Sequence, residues 1–252
     1  MEDTNKILHM MVDAGQIVLE NGGETSRVQE TARKIGTAFG MAEADSFAMP
    51  TGIMASVTDG SGQTVSLIRR ITKRSINLEK ISRINGLSRH VQNGSLTINE
   101  TAAELERIVK VRHYPKIIDI LFAGIATGAC TLLFEGSFMD VPAAFVIGGI
   151  IKALSFLMST VRFNEFFTYI LGGALSAILS LLAVRFGLAV HADKVIIGSI
   201  MLLVPGIAIV NGIRDTIMGD LVAGISRIVE AFIIAVAIAA GTGMILALWK
   251  FV

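Results

Sequence analysis

The uncharged stretch at residues 195–213 constrains this chain most. Its nineteen residues contain no Asp, Glu, Lys or Arg, and this length is enough for a helix to cross a bilayer. Pro205 and Gly206 interrupt the stretch near its middle. Proline has no N–H and displaces the preceding residue from helical geometry, so the sequence predicts a kinked or broken helix at this point.

Polar residues follow the interruption at close to helical spacing, with glycines between them. Polar groups at membrane depth are costly and usually face a bundle interior or a water-filled cavity. Many transporters build a substrate or ion site from a broken helix of this kind. We therefore predict that Pro205, Gly206, Asn211, Asp215 and Asp220 border a transport pathway. The alternative is that the proline only shapes packing and that both carboxylates lie in a short wet loop.

Apolar runs fill the second half of the chain. Each is 18 to 21 residues long, and only Asp119 and Lys152 are charged within them. Helices in soluble cores rarely run so long without charge. The pattern predicts an α-helical polytopic membrane protein with five transmembrane helices at about residues 117–134, 141–161, 166–184, 195–213 and 229–249, the last starting just before its uncharged run.

Charge is distributed unevenly between the two halves. Residues 1–116 hold 15 of the 22 Lys and Arg and 13 of the 21 Asp and Glu, which leaves 7 and 8 for the rest. We therefore predict a water-soluble domain at residues 1–113 and a membrane domain at residues 114–252.

The amino-terminal half shows both helical and strand periodicity. Two amphipathic helices are expected to end near Gly22 and Gly40, because Asn and Gly favour helix C-caps. Alternation on both sides of the turn at 59–62 predicts a β-hairpin, with a third strand near residues 46–49. Two further helices follow, the second opened by a Thr97–Glu100 capping box. These elements together predict a small α+β domain.

Lys152 lies in the middle of the second predicted span. A lysine at mid-bilayer disfavours insertion by roughly 2.5–3.5 kcal/mol on insertion scales. Lys152 is therefore a candidate binding or gating charge, paired with Asp119 or Asp215. The alternative is that its side chain reaches an interface.

Lys and Arg near the span ends predict orientation. Seven lie on the side of the soluble domain, including Arg112, Arg162 and Arg227, and three on the other. The amino terminus is expected in the cytoplasm and the carboxyl terminus outside, in a multi-pass cell (inner) membrane protein. No signal peptide is expected, because the first residues lack an apolar core.

Several classes of function are disfavoured by composition. A net charge of +1 argues against nucleic-acid binding. The single Cys130 excludes an internal disulfide and a thiolate metal cluster. No nucleophile–base pair is visible in the soluble domain. We therefore predict no enzyme activity, no catalytic residues, no metal and no cofactor. The alternative is a membrane-anchored enzyme or sensor acting through the cytoplasmic domain.

An odd number of spans cannot form two equal halves of a conduit. The expected partners are the lipid bilayer, a small-molecule substrate, and a second membrane subunit or another copy of the chain.

Two stretches resemble one known family. The first is AGQIVLENGGETSRVQETARKIGTAFG, and the second is LLVPGIAIVNGIRDTIMGDLVAGISRIVEA. Together they resemble the threonine/serine exporter (ThrE-like) family over most of the chain. The positions that match the family are Glu24, Thr25, Arg27 and Val28 in the first motif, and Pro205, Gly206, Asn211, Asp215, Gly219 and Arg227 in the second.

The resemblance implies an inner-membrane exporter of small polar metabolites, either threonine/serine-type amino acids or a dicarboxylate such as succinate. It also implies the larger subunit of a split member, which pairs with a smaller five-span membrane subunit. Transport is expected to proceed by alternating access around the broken fourth helix. Arg227 joins the predicted pathway through its place in the motif.

Overall fold

The computed structural model describes residues 2–111, 114–161 and 163–251, without the side chain of residue 2. Arg112 and Arg162, which entered the orientation count, and the predicted boundary residue 113 lie outside the described residues. Contacts divide the chain into two compact units. The first unit contains residues 1–113 and 207–229, and the second unit contains residues 114–206 and 230–252.

Helix α1 (Glu2–Glu20) is the central element of the first unit, and α2 (Thr25–Ala38) follows it. The buried side chains of α1 are almost all apolar and surround the helix rather than forming one stripe, which indicates that other elements enclose it. The largest fully buried ones are Ile7, Met11, Val12 and Val18. The predicted pair of amino-terminal helices is confirmed.

The turn between α1 and α2 is a Schellman motif. Gly22 has φ 91°, a left-handed conformation that glycine adopts without a Cβ penalty. The Gly23 N–H donates to Val18 O at 2.9 Å, and the Gly22 N–H donates to Leu19 O at 3.5 Å. These bonds satisfy the last carbonyls of α1 and reverse the chain.

The three strands β1 (Glu43–Met49), β2 (Gly52–Thr58) and β3 (Thr64–Arg70) form an antiparallel meander in sequence order. The buried side chains of β1 and β2 alternate along each strand and join the core that contains α1: Ala44, Ala48, Ile53, Ala55 and Val57. Asp59 fixes the predicted turn, because its Oδ1 accepts from the N–H groups of Ser61 and Gln63. The predicted hairpin and third strand are confirmed.

Helices α3 (Leu78–Gln92) and α4 (Ile98–Val109) follow the sheet. The Thr97–Glu100 capping box is confirmed, with both of its reciprocal hydrogen bonds present. Asn77 caps α3 by accepting from the Lys80 N–H at 3.1 Å.

The second unit begins with α5 (Lys116–Leu133), α6 (Asp140–Thr160), α7 (Glu165–Arg185) and α8 (Ala192–Ile200). The first three correspond to the first three predicted spans. Small residues allow these helices to approach closely, as such residues do in membranes. A Cβ at Gly124 of α5 would lie 2.7 Å from Phe145 O of α6.

Helices α9 (Gly206–Ile217) and α10 (Leu221–Trp249) complete the chain. The uncharged stretch at 195–213 is broken: α8 ends at Ile200, and α9 begins directly after Pro205. Among the described residues, four helices are long and apolar enough to cross a membrane, namely α5, α6, α7 and α10. The fourth of the five predicted spans is divided between two shorter helices.

The grouping of residues 207–229 differs from a linear division at residue 113. Helix α9 and the start of α10 form a hairpin that belongs to the first unit, with α1 to α4 and the sheet. The hairpin is polar or small on its buried side and apolar on its exposed side. Its buried residues are Asn211, Gly212, Asp215, Ala223, Gly224 and Arg227, and its exposed residues include Val210, Ile213, Ile217, Val222 and Ile225.

Candidate functional site

The α1–α2 turn presents two backbone carbonyls to the hairpin within the first unit. The Asn211 side-chain amide donates to Gly22 O at 2.9 Å. The Arg227 guanidinium donates through Nη2 to Gly23 O at 2.9 Å. The tight glycine turn therefore receives one side chain from α9 and one from α10.

Asp215 lies at the centre of this contact and is fully buried. Its Oδ1 accepts from the Thr25 N–H at 3.1 Å, and its Oδ2 accepts from Thr25 Oγ1 at 2.9 Å. The Arg227 Nε lies 3.1 Å from the same Oδ2. A buried carboxylate is strongly destabilising unless it is paired and hydrogen-bonded, and Thr25 with Arg227 supplies both.

The carboxylate of Asp215 also caps α2. Glu24 is the N-cap residue of α2 but makes no side-chain capping bond. The first N–H groups of a helix need an acceptor, and negative charge at this end is favourable. Asp215 meets both needs from 190 residues away in the sequence.

Further polar contacts surround this centre. The Glu24 carboxylate pairs with Arg214 of α9, and its Oε1 lies 3.8 Å from Arg27 Nη2. The Gln29 side-chain amide donates to Asp220 Oδ1 at 3.3 Å. The residues of the two sequence motifs, 190 positions apart, therefore meet in one network.

Helical spacing and small residues place these side chains. Asn211 and Asp215 are four residues apart and share the buried face of α9. Gly212 lies on the same face, and a Cβ there would be 3.1 Å from Gly224 O of α10. The two helices can approach closely enough for Arg227 to reach Asp215 only because these positions carry no side chain.

The remaining predicted site residues belong to the second unit. Pro205 precedes α9, and Gly206 is its first residue. Lys152 lies in α6 with its Nζ 5.2 Å from the centre of the Phe156 ring, and Lys116 Nζ lies 5.5 Å from the same ring. The expected pairing of Lys152 with Asp119 does not form among the described residues, and Asp215 has Arg227 as its cation. The Lys152 ammonium group therefore contacts the aromatic face of Phe156, one helical turn away, instead of a carboxylate.

Sequence reasoning missed several members of the network. Gly22 and Gly23 were expected only to end a helix, whereas their carbonyls are also acceptors. Arg214 and Gln29 were not singled out as site residues. The available signal was charge complementarity between the two motifs, since Glu24 in the first matches Arg214 in the second. Among the described residues, no group of His, Cys, Asp and Glu could hold a metal ion.

The helices and the comparisons together define the class of the protein. Several long apolar helices make it a multi-pass membrane protein. Residues 9–249 match the model of the ThrE family, described as "Putative threonine/serine exporter". The chain belongs to this threonine/serine exporter family.

Curated relatives cover nearly the whole chain at low identity. A "Probable threonine/serine exporter" of Mycobacterium tuberculosis is 22% identical over 94% of this chain and 45% of its own length. The "Threonine/serine exporter" of Corynebacterium glutamicum is 24% identical over 94% of this chain and 50% of its own length. The "Probable succinate transporter subunit YjjP" of Klebsiella aerogenes is 19% identical over 96% of this chain and 94% of its own length.

The chain thus spans about half of the two exporter relatives and most of the YjjP relative. No solved structure was found to match it.

Proposed function

We propose that this chain is a subunit of an exporter of small polar metabolites, of the threonine/serine amino-acid type or of the small dicarboxylate type. Membership of the exporter family gives the class of activity. The observation that carries the proposal is the buried Asp215–Arg227 pair, which lies on the helical hairpin directly after the break at Pro205. Membrane transporters commonly place a substrate or ion site beside a discontinuous helix.

The chemistry of the pair suits such substrates. A carboxylate and a guanidinium side by side match the ammonium and carboxylate groups of a zwitterionic amino acid. Arg227 alone matches a carboxylate of a dicarboxylic acid, because the guanidinium fork is suited to that group. In the described conformation Thr25 and Arg227 occupy both oxygens of Asp215.

Transport would then proceed by alternating access around the break between α8 and α9. Exposing Asp215 requires its bonds to Thr25 to open, and a substrate group would replace the lost partner. Asn211 and Asp220 would line the same passage, since both contact the amino-terminal segment. Lys152, which lies over an aromatic ring in α6, would contribute a further charge to the pathway.

The exporter would be a complex in the inner membrane, with the amino terminus in the cytoplasm and the carboxyl terminus outside. The YjjP relative, which this chain matches over most of its length, is named a subunit. We therefore expect a smaller membrane subunit or a second copy to complete the conduit. Blue-native electrophoresis in mild detergent tests this, and a monomer under every condition would contradict it.

Efflux from proteoliposomes tests the transport activity itself. Vesicles containing the chain, with and without a co-expressed five-span subunit, are loaded with labelled threonine, serine or succinate. Asp215→Asn should abolish efflux while the protein remains in the membrane. Asp193→Asn is the matched control, because the Asp193 side chain is 67% exposed. Wild-type efflux from Asp215→Asn would remove Asp215 from the pathway.

A further inference from the structure

A polar cleft of about 210 Å³ lies between α2 and α3 in the first unit. None of its lining residues contacts Asp215 directly, and Arg27 connects it to the surrounding network through Glu24. Ligand pockets for drug-sized molecules begin at roughly 300 Å³, so this cleft suits a smaller metabolite. Its walls are polar or charged at every lining position, which argues against an apolar ligand.

The charges of the cleft favour an anion. Arg27 and Lys34 of α2 and Arg89 of α3 contribute three positive charges, and Glu30 contributes one negative charge. The Glu30 Oε1 lies 2.7 Å from Lys34 Nζ. This contact holds the pKa of Glu30 below its usual value, so the carboxylate stays ionised and occupied by Lys34. Arg27 and Arg89 remain as the excess charge of the cleft, because the contact of Arg27 with Glu24 is long, at 3.8 Å, and the same Glu24 oxygen also pairs with Arg214.

The two guanidinium groups come from opposite walls. Arg27 reaches the cleft from the first turn of α2, and Arg89 reaches it from the last turns of α3. Arg89 Nε donates to Asn85 O at 3.2 Å, and this bond restrains the orientation of the guanidinium group. Arg89 forms no ion pair among the described residues. A ligand that satisfies both groups therefore needs two negative charges.

Each of the two walls also carries a buried hydroxyl group. Thr31 and Ser88 line the cleft and are each only 3% exposed. Ser88 donates to Asn85 O at 3.0 Å. Hydroxyls can rotate to donate to an incoming oxygen. The cleft thus combines charge with directional donors, as sites for small oxyanions do.

We propose that this cleft binds a small dicarboxylate, with one carboxylate on Arg27 and the other on Arg89. Binding at this cleft does not require that the chain transports the same molecule. Helix α2 begins with Thr25, which donates to Asp215, and its N-cap residue Glu24 pairs with both Arg27 and Arg214. A ligand on Arg27 would therefore act on the same helical turn that contacts α9.

Isothermal titration of the full chain in detergent with succinate tests the proposal. Wild-type protein should show saturable binding. Arg27→Gln and Arg89→Gln should each weaken it by about tenfold or more, because each removes a charge-assisted contact. Arg83→Gln is the matched control on α3, since Arg83 is exposed, pairs with Glu79 and does not line the cleft.

The titration distinguishes binding in the cleft from a general effect of net charge. Binding that is lost in Arg27→Gln and Arg89→Gln but kept in Arg83→Gln assigns the ligand to the cleft. The absence of saturable binding to the wild type overturns the proposal. Equal weakening by Arg83→Gln and Arg89→Gln also overturns it, because the effect would then follow net charge and not the site.

Discussion

Thr25 and Asp215 are 190 residues apart in the sequence and share two hydrogen bonds. The backbone N–H of Thr25 donates to one carboxylate oxygen and its hydroxyl donates to the other. One residue therefore satisfies both oxygens and also begins helix α2. This contact joins the amino-terminal motif to the motif after the helical break.

Removal of the Thr25 hydroxyl should destabilise the first unit. Thr25→Ala keeps the backbone bond but leaves the buried Oδ2 of Asp215 with Arg227 alone. A hydrogen bond to a charged group contributes about 1.5–3 kcal/mol, so we expect a loss of this size. Thermal unfolding of the purified protein in detergent measures it. Thr25→Ser keeps the hydroxyl and should recover most of the stability; an equal loss in both variants would contradict this account.

Asp215 and Arg227 should be energetically coupled. Arg227→Gln leaves a fully buried carboxylate without its cation, which typically costs about 3–5 kcal/mol. The double variant Asp215→Asn/Arg227→Gln should lose less than the sum of the single variants. A double-mutant cycle based on thermal unfolding measures this coupling.

The exposed pair Arg83–Glu79 provides the comparison for this cycle. Its side chains are 49% and 45% exposed, and surface pairs contribute less than about 1 kcal/mol. Arg83→Gln should therefore change stability little. Additive effects at Asp215 and Arg227 would show that the two charges act independently.

Local sequence rules predicted much of the fold. The ends of α1 and α2, the hairpin at Asp59 and the capping box at Thr97 each depend on a few neighbouring residues. The break at Pro205 follows from the chemistry of one residue. Such features are readable because the interactions that fix them lie within about one helical turn or one β-turn.

The set of helices and strands that make up the first unit could not be predicted in the same way. No local sequence pattern indicates that α9 packs with α1 and α2, because that packing depends on contacts between segments 190 residues apart. Hydropathy placed residues 195–213 in one span, because it reports how apolar a segment is and not which other segments that segment packs against. Lys152 was predicted to be a binding or gating charge paired with Asp119 or Asp215, whereas its Nζ lies over the ring of Phe156, four residues further along the same helix.

The crossing of α9 and α10 should depend on Gly224. A Cβ at this position would lie 2.1 Å from Thr216 Oγ1 and 2.8 Å from Gly212 O. Gly224→Ala must push the helices apart, and overpacking of this kind costs about 1–3 kcal/mol. Thermal unfolding in detergent should show a lower midpoint for this variant.

Gly243 is the matched control on the same helix. A Cβ there meets no atom within 4 Å. Gly243→Ala should be neutral or stabilising by up to about 1 kcal/mol, because alanine favours the helix. Comparable destabilisation by both substitutions would mean that the Gly212–Gly224 approach is not the cause.

Asp140 should fix two connections of the second unit. It is fully buried, and its Oδ1 accepts from the N–H groups of Val190 at 2.6 Å and His191 at 3.0 Å. Its Oδ2 accepts from the Ser137 N–H at 2.8 Å and from Ser137 Oγ at 2.9 Å. The carboxylate thus ties the α5–α6 connection to the α7–α8 connection.

Asp140→Asn replaces one acceptor oxygen by an NH₂ donor that faces other donors. Each buried donor left without an acceptor costs about 1–3 kcal/mol, and in either orientation of the new amide at least one backbone N–H loses its acceptor, so we expect a marked fall in thermal stability. Asp193→Asn, an exposed carboxylate on α8, should leave the midpoint unchanged. A wild-type midpoint for Asp140→Asn would show that the two connections hold together without this carboxylate. Limited proteolysis, with cleavage expected first near residues 137 and 190 in Asp140→Asn, locates where the loss begins.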